Sequence, residues 1–359
     1  MNNYLKLKHT AIGSLPCGDV KSAINIVKES IDVIPFWPQL ANISKNEDMI
    51  VQFLEGFPGV RKNDEKETIY LDSESDDFFE ELETFFMDYE EIIADTESKL
   101  LDKYAISENY SSSIRPYFDL ISQEKPQFAK GQIVGAFTLA TSLCDKNGRC
   151  AYYDETLKEV LTKGLTLKAL WQIKQIKKVS PDTKPIIFMD EPSLSQLGTS
   201  AFITIPEEEV VEIIKSISDI IHENGALSAI HCCGKCAWDL PISTGIDIIN
   251  LDGYFFAQNL SLFSDSIKNL FEKNGYIAWG IIPTLDKEAL ERATISEMIE
   301  KFEEAVSYLE KKGLDRKEII NHSMITPSCG AGGLTEDLAK KAMSLTKELS
   351  QNLIERYGD

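Results

Sequence analysis

Apolar positions follow two periodicities along most of this chain. Short runs rich in β-branched and aromatic residues alternate with longer segments in which apolar residues recur every three or four positions, as in amphipathic helices. Residues 206–225 are an example of the longer type, because Pro206 and three glutamates suit a helix start and Gly225 suits its end. Eight of the short runs are typical of strands: residues 9–14, 33–38, 132–139, 185–190, 226–231, 247–252, 276–282 and 322–327.

The regular alternation of strand and helix patterns indicates the fold class. Strands that are separated by helices favour parallel βαβ units. Eight such units predict an α/β fold, and more specifically a closed (β/α)₈ TIM barrel. The chain has 359 residues, so a single barrel over 1–359 leaves room for an insertion.

One strongly acidic stretch, residues 61–126, interrupts this rhythm. Its beginning could form a hairpin, and its centre, residues 73–95, has a helical pattern. We expect an inserted hairpin and helical subdomain that packs over the barrel, and a docking surface for a partner is the alternative. The apolar side of the helix is expected to carry Phe78, Phe79, Leu82, Phe85 and Phe86.

Composition excludes several function classes. The formal charge is −21, from 58 acidic and 37 basic side chains, and such a surface repels nucleic acid. No apolar run reaches the roughly 18 residues that would indicate a membrane span. The first ten residues lack the apolar core of a secretory signal, so we expect a cytoplasmic protein.

Seven cysteines point to metal or redox chemistry. Their number is odd and no export signal is visible, so a disulfide framework is not expected. Three of them, Cys232, Cys233 and Cys236, cluster beside His231. In a reducing compartment, such a cluster more often binds a metal or carries out redox reactions.

The spacing of His231 and Cys233 suits a shared metal ion. The two residues end an apolar run, and side chains two positions apart in a strand point the same way. Cys329 follows another apolar run and precedes a glycine-rich turn, so it too falls at the carboxyl end of a strand, where barrel enzymes carry their chemistry. A catalytic zinc typically takes three protein ligands and keeps one position open. We therefore predict a zinc site from these three residues, with Asp252 as a further candidate carboxylate.

Spacing alone leaves other interpretations open. Cys233 and Cys236 form a C-x-x-C motif, which could be a redox pair or half of a structural zinc knuckle. A redox motif usually starts a helix in a smaller fold, and the second C-x-x-C of a knuckle is missing from the sequence. His231 could also be a buried structural histidine without a metal.

Four segments in order along the chain carry a family resemblance: TAIGSLP (10–16), FMDEPSL (188–194), IHCCG (230–234) and TPSCGAGGL (326–334). With them, the chain resembles the superfamily of cobalamin-independent methionine synthase, uroporphyrinogen decarboxylase and the methylcobalamin:coenzyme M methyltransferases. It is most similar to a single-barrel, core form of methionine synthase. The resemblance covers nearly the full length except the acidic insertion.

The resemblance implies a zinc and substrate site. It makes His231, Cys233 and Cys329 ligands of Zn²⁺, and Asp252 stands where the family has a ligating glutamate. Further positions match the family's homocysteine site: Ile12 and Ser14 for the carboxylate, Asp190 for the amino group, and Gln52 in place of a glutamate beside it.

Three further residues have two interpretations each. Asp190 could instead cap a helical turn, because a strand end, Glu191 and a proline follow one another there. Glu191 could contact substrate or be held by local hydrogen bonds. Trp279, near the end of an apolar run, could line the mouth of the site or pack in the core.

The implied function is that of a zinc-dependent thiol methyltransferase. The methyl group would come from methylcobalamin or a separate corrinoid protein, and the small-molecule thiol acceptor would be homocysteine, which gives methionine. Coenzyme M is the alternative acceptor. A uroporphyrinogen decarboxylase-like lyase is disfavoured because residues 13–22 contain no arginine to bind propionates. A non-catalytic metal-binding protein remains the alternative outside enzymes, and the acidic insertion is a candidate contact for the corrinoid protein.

Overall fold

A parallel six-stranded sheet forms the centre of the computed structural model, which describes residues 4–63 and 68–358. Neighbouring strands in the sheet are also neighbours in sequence, and every pair is parallel. The fold is therefore α/β, as predicted. Two short strands, β1 (Val60–Asn63) and β2 (Thr68–Leu71), form a separate antiparallel hairpin. The central strands are β3 (Phe128–Val134), β4 (Lys184–Asp190), β5 (Leu227–Cys232), β6 (Ile248–Leu251), β7 (Tyr276–Ile282) and β8 (Ser323–Pro327).

The first two predicted strands are not regular strands in the structure. Residues 9–14 and 33–38 make single parallel bridges, from His9 to Ile325 of β8 and from Phe36 to Lys130 of β3. A further bridge joins Ser14 to Gln39, so the two segments lie between the two edge strands and touch each other. The second segment contains two prolines, which have no backbone N–H to donate to a ladder.

Helices surround the sheet and connect its strands. The segment predicted from residues 206–225 is confirmed as a helix over Glu207–Glu223, and Gly225 follows with a φ of +69°. The helices are α1 (Val20–Ser30), α2 (Phe78–Ala94), α3 (Ile114–Glu124), α4 (Ala136–Ser142), α5 (Glu155–Val179), α6 (Glu207–Glu223), α7 (Asp239–Ser243), α8 (Gly253–Leu260), α9 (Ser264–Glu272), α10 (Lys287–Arg292), α11 (Ile295–Glu310), α12 (Arg316–Asn321) and α13 (Glu336–Tyr357).

The third predicted strand, residues 132–139, is wrong in its second half. β3 ends at Val134, and α4 begins at Ala136. The carboxylate of Glu191 accepts hydrogen bonds from the backbone N–H groups of Phe137 and Thr138 at 3.0 and 2.8 Å. These two donors belong to the first helical turn, where they have no partner within the helix.

The two faces of the sheet contribute to different apolar clusters. One face, called here the inner face, carries a small cluster that includes Phe188, Ala229, Ile248 and Met324. The other face packs against the helices in the large core. Because side chains alternate along a strand, His231 and Asn250 lie on the inner face, two residues beyond Ala229 and Ile248.

The insertion has a hairpin and helices, and its residues 64–67 lie outside the described part of the chain. In α2, Phe78 and Phe85 are buried but Phe79 is 75% exposed, so only part of the predicted apolar side is covered. α3 contacts α1 and α5, and Tyr117 donates from its hydroxyl to the carbonyl of Lys130 in β3. This last helix of the insertion therefore belongs to the layer around the sheet.

Across the described residues, we find no helix that combines the length and apolar composition needed to cross a lipid bilayer.

Candidate metal centre

His231 is held in one orientation by its neighbour on the next strand. Its Nδ1 lies 2.6 Å from Oδ1 of Asn250, and Nδ2 of Asn250 donates to the carbonyl of Ala278 and to the hydroxyl of Thr326, each at 2.8 Å. Since these donations fix the amide orientation, Oδ1 of Asn250 accepts from Nδ1–H of His231. Nε2 then carries the free lone pair, and this buried atom has no hydrogen-bond partner in the part of the chain that the structure describes.

Two cysteines converge on this histidine. Potential ligand atoms of His231, Cys233 and Cys329 all lie within 4.8 Å of one another, and no other such group occurs among residues 4–63 and 68–358. Tetrahedral zinc with bonds of about 2.3 Å to sulfur would place two thiolates roughly 3.8 Å apart. The donor set, one imidazole and two thiols around an unengaged lone pair, therefore fits zinc.

Secondary structure explains why the cysteines meet. Cys233 follows the last residue of β5, and Cys329 lies two residues beyond β8, so both are at the carboxyl edge of the sheet. Thr284, in the loop after β7, fixes the second of these positions. Its hydroxyl accepts from the backbone N–H of Cys329 at 3.0 Å and donates to the carbonyl of Cys329 at 2.9 Å.

The charges of this group suit a cation. The proximity of the Cys329 thiol, and then that of the His231 ring, lower the pKa of Cys233 to about 4, and the proximity of Cys233 raises the pKa of Cys329. Burial acts to lower the pKa of His231, but Cys233 and Asp190 outweigh it and raise the pKa. These shifts favour a thiolate at Cys233 next to the ring of His231.

The C-x-x-C motif does not form a pair in the structure. Cys236 makes its thiol contact with Cys232, and this contact lowers the pKa of Cys232 and raises that of Cys236. Both residues belong to the core on the helix-facing side of the sheet, whereas Cys233 faces the opposite side with His231. A redox pair of Cys233 with Cys236 is therefore not supported.

Asp252 lies at the rim but outside the group of three. It caps the N-terminus of α8, where its Oδ1 accepts from the backbone N–H of Phe255 at 3.0 Å. Its Oδ2 is buried without a hydrogen-bond partner among the described residues. Burial raises the pKa of this carboxyl group to about 6.

Asp190 ends β4 directly beside His231 in the sheet register. It is buried, and its Oδ1 has no hydrogen-bond partner within the described residues. Burial raises its pKa, and the neighbouring Lys130 partly opposes this shift. Asp190 makes no helix cap, because the short 3₁₀ turn that follows has Glu191 as its capping residue, with no side-chain hydrogen bond.

Lys130 lies below Asp190 on the inner face and is fully buried. Its ammonium group donates to the carbonyl of Ile12 and to Oε1 of Gln132. Burial lowers its pKa to about 7. The segment that contains Ile12 is thereby tied to β3.

Ser14 contacts the loop that follows Cys329. Its hydroxyl accepts from the backbone N–H of Gly332 at 3.2 Å, and its carbonyl accepts from Ala331 at 2.9 Å. A Cβ on Gly330 would lie 2.1 Å from Oγ of Ser14, so this close approach requires glycine. Ser14 thus contacts the loop that begins at Cys329, and its role in substrate binding stays a prediction.

Gln52 is fully buried and engaged by protein groups. Its Oε1 accepts from Gln39 and its Nε2 donates to the carbonyl of Tyr110, each at 2.8 Å. These bonds tie the segment after the second extended stretch to the insertion. Both polar atoms of its amide are thus engaged by groups other than the three candidate ligands.

Two weaker substrate predictions are not supported. Both carboxylate oxygens of Glu191 are occupied by the start of α4, since Thr138 also donates its hydroxyl at 2.6 Å. Burial raises the pKa of Glu191 to about 7. Trp279 is fully buried on the helix-facing side of the sheet, where its Nε1 donates to Ser323. The strand pattern of alternating sides points its ring away from the site.

Three residues that hold the candidate ligands in place were not predicted from the sequence: Asn250, Thr284 and Thr326. Asn250 was detectable, because it is a polar residue on the inner side of an otherwise apolar strand. Thr284 lies in a loop, and no sequence pattern connects it with Cys329.

Comparisons with known proteins do not identify the chain. No family model matches it, and no curated protein matches it. Among solved structures, the catalytic domain of the GH26 endo-beta-1,4-mannanase of Bacillus sp. JAMB-750 aligns with a TM-score of 0.41 and 14% identity. That alignment covers 100% of this chain and 95% of the mannanase domain.

Proposed function

We propose that this protein is a zinc-dependent thiol methyltransferase whose zinc ligands are His231, Cys233 and Cys329. The observation that carries the proposal is the convergence of these three side chains within 4.8 Å, with a buried Nε2 that has no other partner in the described structure. A buried polar atom without a partner costs stability unless a ligand or water completes it. Zinc with one open position would complete this group.

Each residue has a distinct task in this proposal. When bound, zinc supplies a cation that keeps an acceptor sulfur deprotonated and in place. Asn250 holds the imidazole so that Nε2 faces the centre. Cys233 and Cys329 contribute negative charge, which keeps a neighbouring sulfur nucleophilic. Methyl transfer is a displacement at carbon, so it needs alignment of donor and acceptor more than an acid–base pair.

The acceptor that we propose is homocysteine. The free Oδ1 of Asp190, buried beside His231, is placed to accept from an ammonium group of an amino-acid thiol. The segment of Ile12 and Ser14, which abuts the loop after Cys329, would bind the carboxylate. Asp252 remains a candidate for a fourth zinc ligand through its unpartnered Oδ2.

We also propose that the sheet closes into a (β/α)₈ barrel. Backbone hydrogen bonds support this, since Thr10 donates to the carbonyl of Ile325 at 3.1 Å and Lys130 donates to that of Pro35 at 2.9 Å. The two extended segments would then be its first and second strands. The methyl donor would be methylcobalamin, free or on a separate corrinoid protein in the cytoplasm, with the acidic insertion as the docking surface.

The test combines metal analysis with turnover. We expect about one zinc per wild-type chain and a large loss in Cys233→Ala and Cys329→Ala. The matched control Cys236→Ala, on the opposite face, should keep its zinc. Loss of methylcobalamin, followed by its absorbance, should then require zinc and added homocysteine, and coenzyme M should support it poorly.

Several results would contradict the proposal. If Cys236→Ala empties the site while Cys329→Ala retains zinc, the ligand assignment is wrong. Stoichiometric zinc without methylcobalamin consumption with either thiol would favour a non-catalytic metal-binding protein. Faster turnover with coenzyme M than with homocysteine would mean that coenzyme M is the thiol acceptor.

A further inference from the structure

Cys144 and Cys150, which are remote in sequence from the candidate zinc ligands, lie at a tight turn after α4. The sulfur atoms of Cys144 and Cys150 are 3.1 Å apart, and both side chains are partly exposed. All seven cysteines are free thiols in the structure. A disulfide bond is about 2.05 Å long, so the two sulfurs need to approach by only about 1 Å to form one.

The backbone around this pair already has the geometry that a disulfide requires. Cys144 and Cys150 face each other as an antiparallel bridge. The flanking residues make the hydrogen bonds: Ala151 donates to the carbonyl of Leu143, and Asp145 donates to that of Arg149, both at 2.9 Å. The cysteines therefore occupy a non-hydrogen-bonded position, where opposite Cα atoms lie about 4.5 Å apart. That separation is within the range of about 4.4–6.8 Å found for disulfides.

The turn between the cysteines is held in shape by a third side chain. Oδ1 of Asp145 accepts from the backbone N–H groups of Asn147 and Arg149 at 2.8 and 2.9 Å. A fixed turn keeps the two thiols together in the reduced protein, so little conformational freedom remains to be lost on oxidation.

This turn also anchors the insertion. The backbone N–H of Leu71, at the end of β2, donates to the carbonyl of Cys144 at 3.0 Å. Lys146 pairs with Glu74 at 2.7 Å and with Asp72 at 3.5 Å. The thiol pair thus lies where the hairpin meets the segment that follows α4.

We propose that Cys144 and Cys150 are a site of reversible thiol–disulfide exchange with low-molecular-weight disulfides. One cysteine thiolate attacks a small disulfide RSSR, which forms a mixed disulfide and releases RS⁻, and this leaving thiolate takes up the proton. The other cysteine then attacks the protein sulfur of the mixed disulfide, forms the Cys144–Cys150 bond and releases a second RSH. The protein pair loses two electrons and two protons, and RSSR becomes two RSH.

Both sulfurs are partly exposed, so either cysteine can make the first attack and the other then resolves the mixed disulfide. This inference does not depend on the zinc site.

The test uses the full chain and the oxidised and reduced glutathione pair as the small disulfide and thiol. After incubation at increasing ratios of oxidised to reduced glutathione, free thiols are alkylated and the protein is digested with trypsin. Trypsin cuts between the cysteines, after Lys146 and Arg149. We expect peptides 131–146 and 150–158 to appear as one linked species, two hydrogens lighter than their sum, which separates again on return to reduced glutathione.

Variants distinguish this pair from nonspecific oxidation. Cys144→Ser should trap glutathione on Cys150 as a persistent mixed disulfide, because the resolving thiol is missing. The matched control Cys17→Ser, at a buried cysteine far from the turn, should leave the linked peptide unchanged. Full alkylation of both cysteines at strongly oxidising ratios, or a glutathione adduct that persists in the wild type, would overturn the proposal.

Discussion

The two ends of the inner face of the sheet are built differently. At the amino end, Phe188, Ile248 and Met324 belong to a closed apolar cluster. At the carboxyl end, β4, β5 and β6 lead to Asp190, His231 and Asp252. Each of these has a buried polar atom without a hydrogen-bond partner, and together they supply three of the five such atoms found among the described residues.

This difference suggests that the carboxyl end of the inner face binds a ligand and that the amino end stabilises the fold. Native proteins rarely leave buried polar atoms unpaired, because each costs about 1–3 kcal/mol. Three such atoms at one end of a sheet are therefore better explained by a ligand than by chance packing. The amino end carries no such cost, and we expect it to supply stability without taking part in the chemistry.

The largest effect is expected at the amino end. Phe188 is fully buried in β4, a strand that carries none of the three candidate zinc ligands. Phe188→Ala should lower the free energy of unfolding by about 3–5 kcal/mol through lost burial and a cavity, measured by urea denaturation. Zinc bound per folded chain should stay at the wild-type value.

Phe188→Leu, which removes less volume, is the matched control and should cost less. If Phe188→Ala loses zinc under conditions where the chain is fully folded, the amino and carboxyl ends of the sheet are not independent.

An intermediate effect is expected at the residue that orients His231. Asn250→Leu removes the acceptor of Nδ1–H, so the imidazole is no longer held with Nε2 towards the cysteines. Loss of such a supporting group typically weakens metal binding about 10–100-fold, which is roughly 1.4–2.7 kcal/mol. Competition with a zinc chelator measures this change, and ¹⁵N chemical shifts of the metal-free His231 ring report its tautomer.

Asn250→Asp keeps an acceptor for Nδ1–H of His231, so its zinc affinity should be close to that of the wild type. If Asn250 only stabilised the fold, zinc affinity would not depend on this acceptor. Ser323→Ala, whose hydroxyl bonds Trp279 on the helix-facing side, should leave zinc affinity unchanged. Unaltered zinc affinity and tautomer in Asn250→Leu would remove Asn250 from the centre.

The smallest effect concerns a paired polar group at the amino end. The hydrogen bond of His222 Nε2 with Asp247, 2.7 Å long, raises the pKa of His222. A raised folded-state pKa stabilises the protein fully below the unfolded value of about 6.5, and this contribution is lost as the pH rises through the folded-state pKa. About a third of each side chain is exposed, so we expect less than about 1 kcal/mol.

Urea unfolding of the wild type and His222→Gln from pH 5.5 to 8.5 checks this sign. The stability difference between them should shrink as the pH rises, with zinc content equal in both. A difference that grows with pH would mean that the imidazole is held neutral at this position.

Much of the fold follows from local pattern, and its failures have local causes. The last six predicted runs coincide with strands, the first of them only in part, because each carries β-branched or aromatic residues between helical segments. Residues 136–139 have the same composition, yet they are helical, and Glu191, 53 residues away from Thr138, accepts from the backbone N–H groups of Phe137 and Thr138 at the helix start. Strand propensity depends strongly on context, and hydrogen bonds to a buried carboxylate that is distant in sequence override it at these residues.

The candidate ligands could be found from sequence, but their supporting residues could not. The i, i+2 spacing of His231 and Cys233 at a strand end is a local feature, and the strand end of Cys329 made it a natural third. The partners of these ligands depend on which strands are neighbours. Asn250 meets His231 only because β5 pairs with β6 in one particular register.

By itself, the sequence determined the parallel α/β arrangement, the acidic insertion and the histidine and cysteines at strand ends, because each depends on residue type and short-range periodicity. Only the tertiary structure decided that Cys236 contacts Cys232, that Trp279 packs on the helix-facing side of the sheet and that Glu191 accepts hydrogen bonds from the start of α4. These outcomes depend on side-chain direction and on contacts between residues distant in sequence, which periodicity along a single chain does not encode.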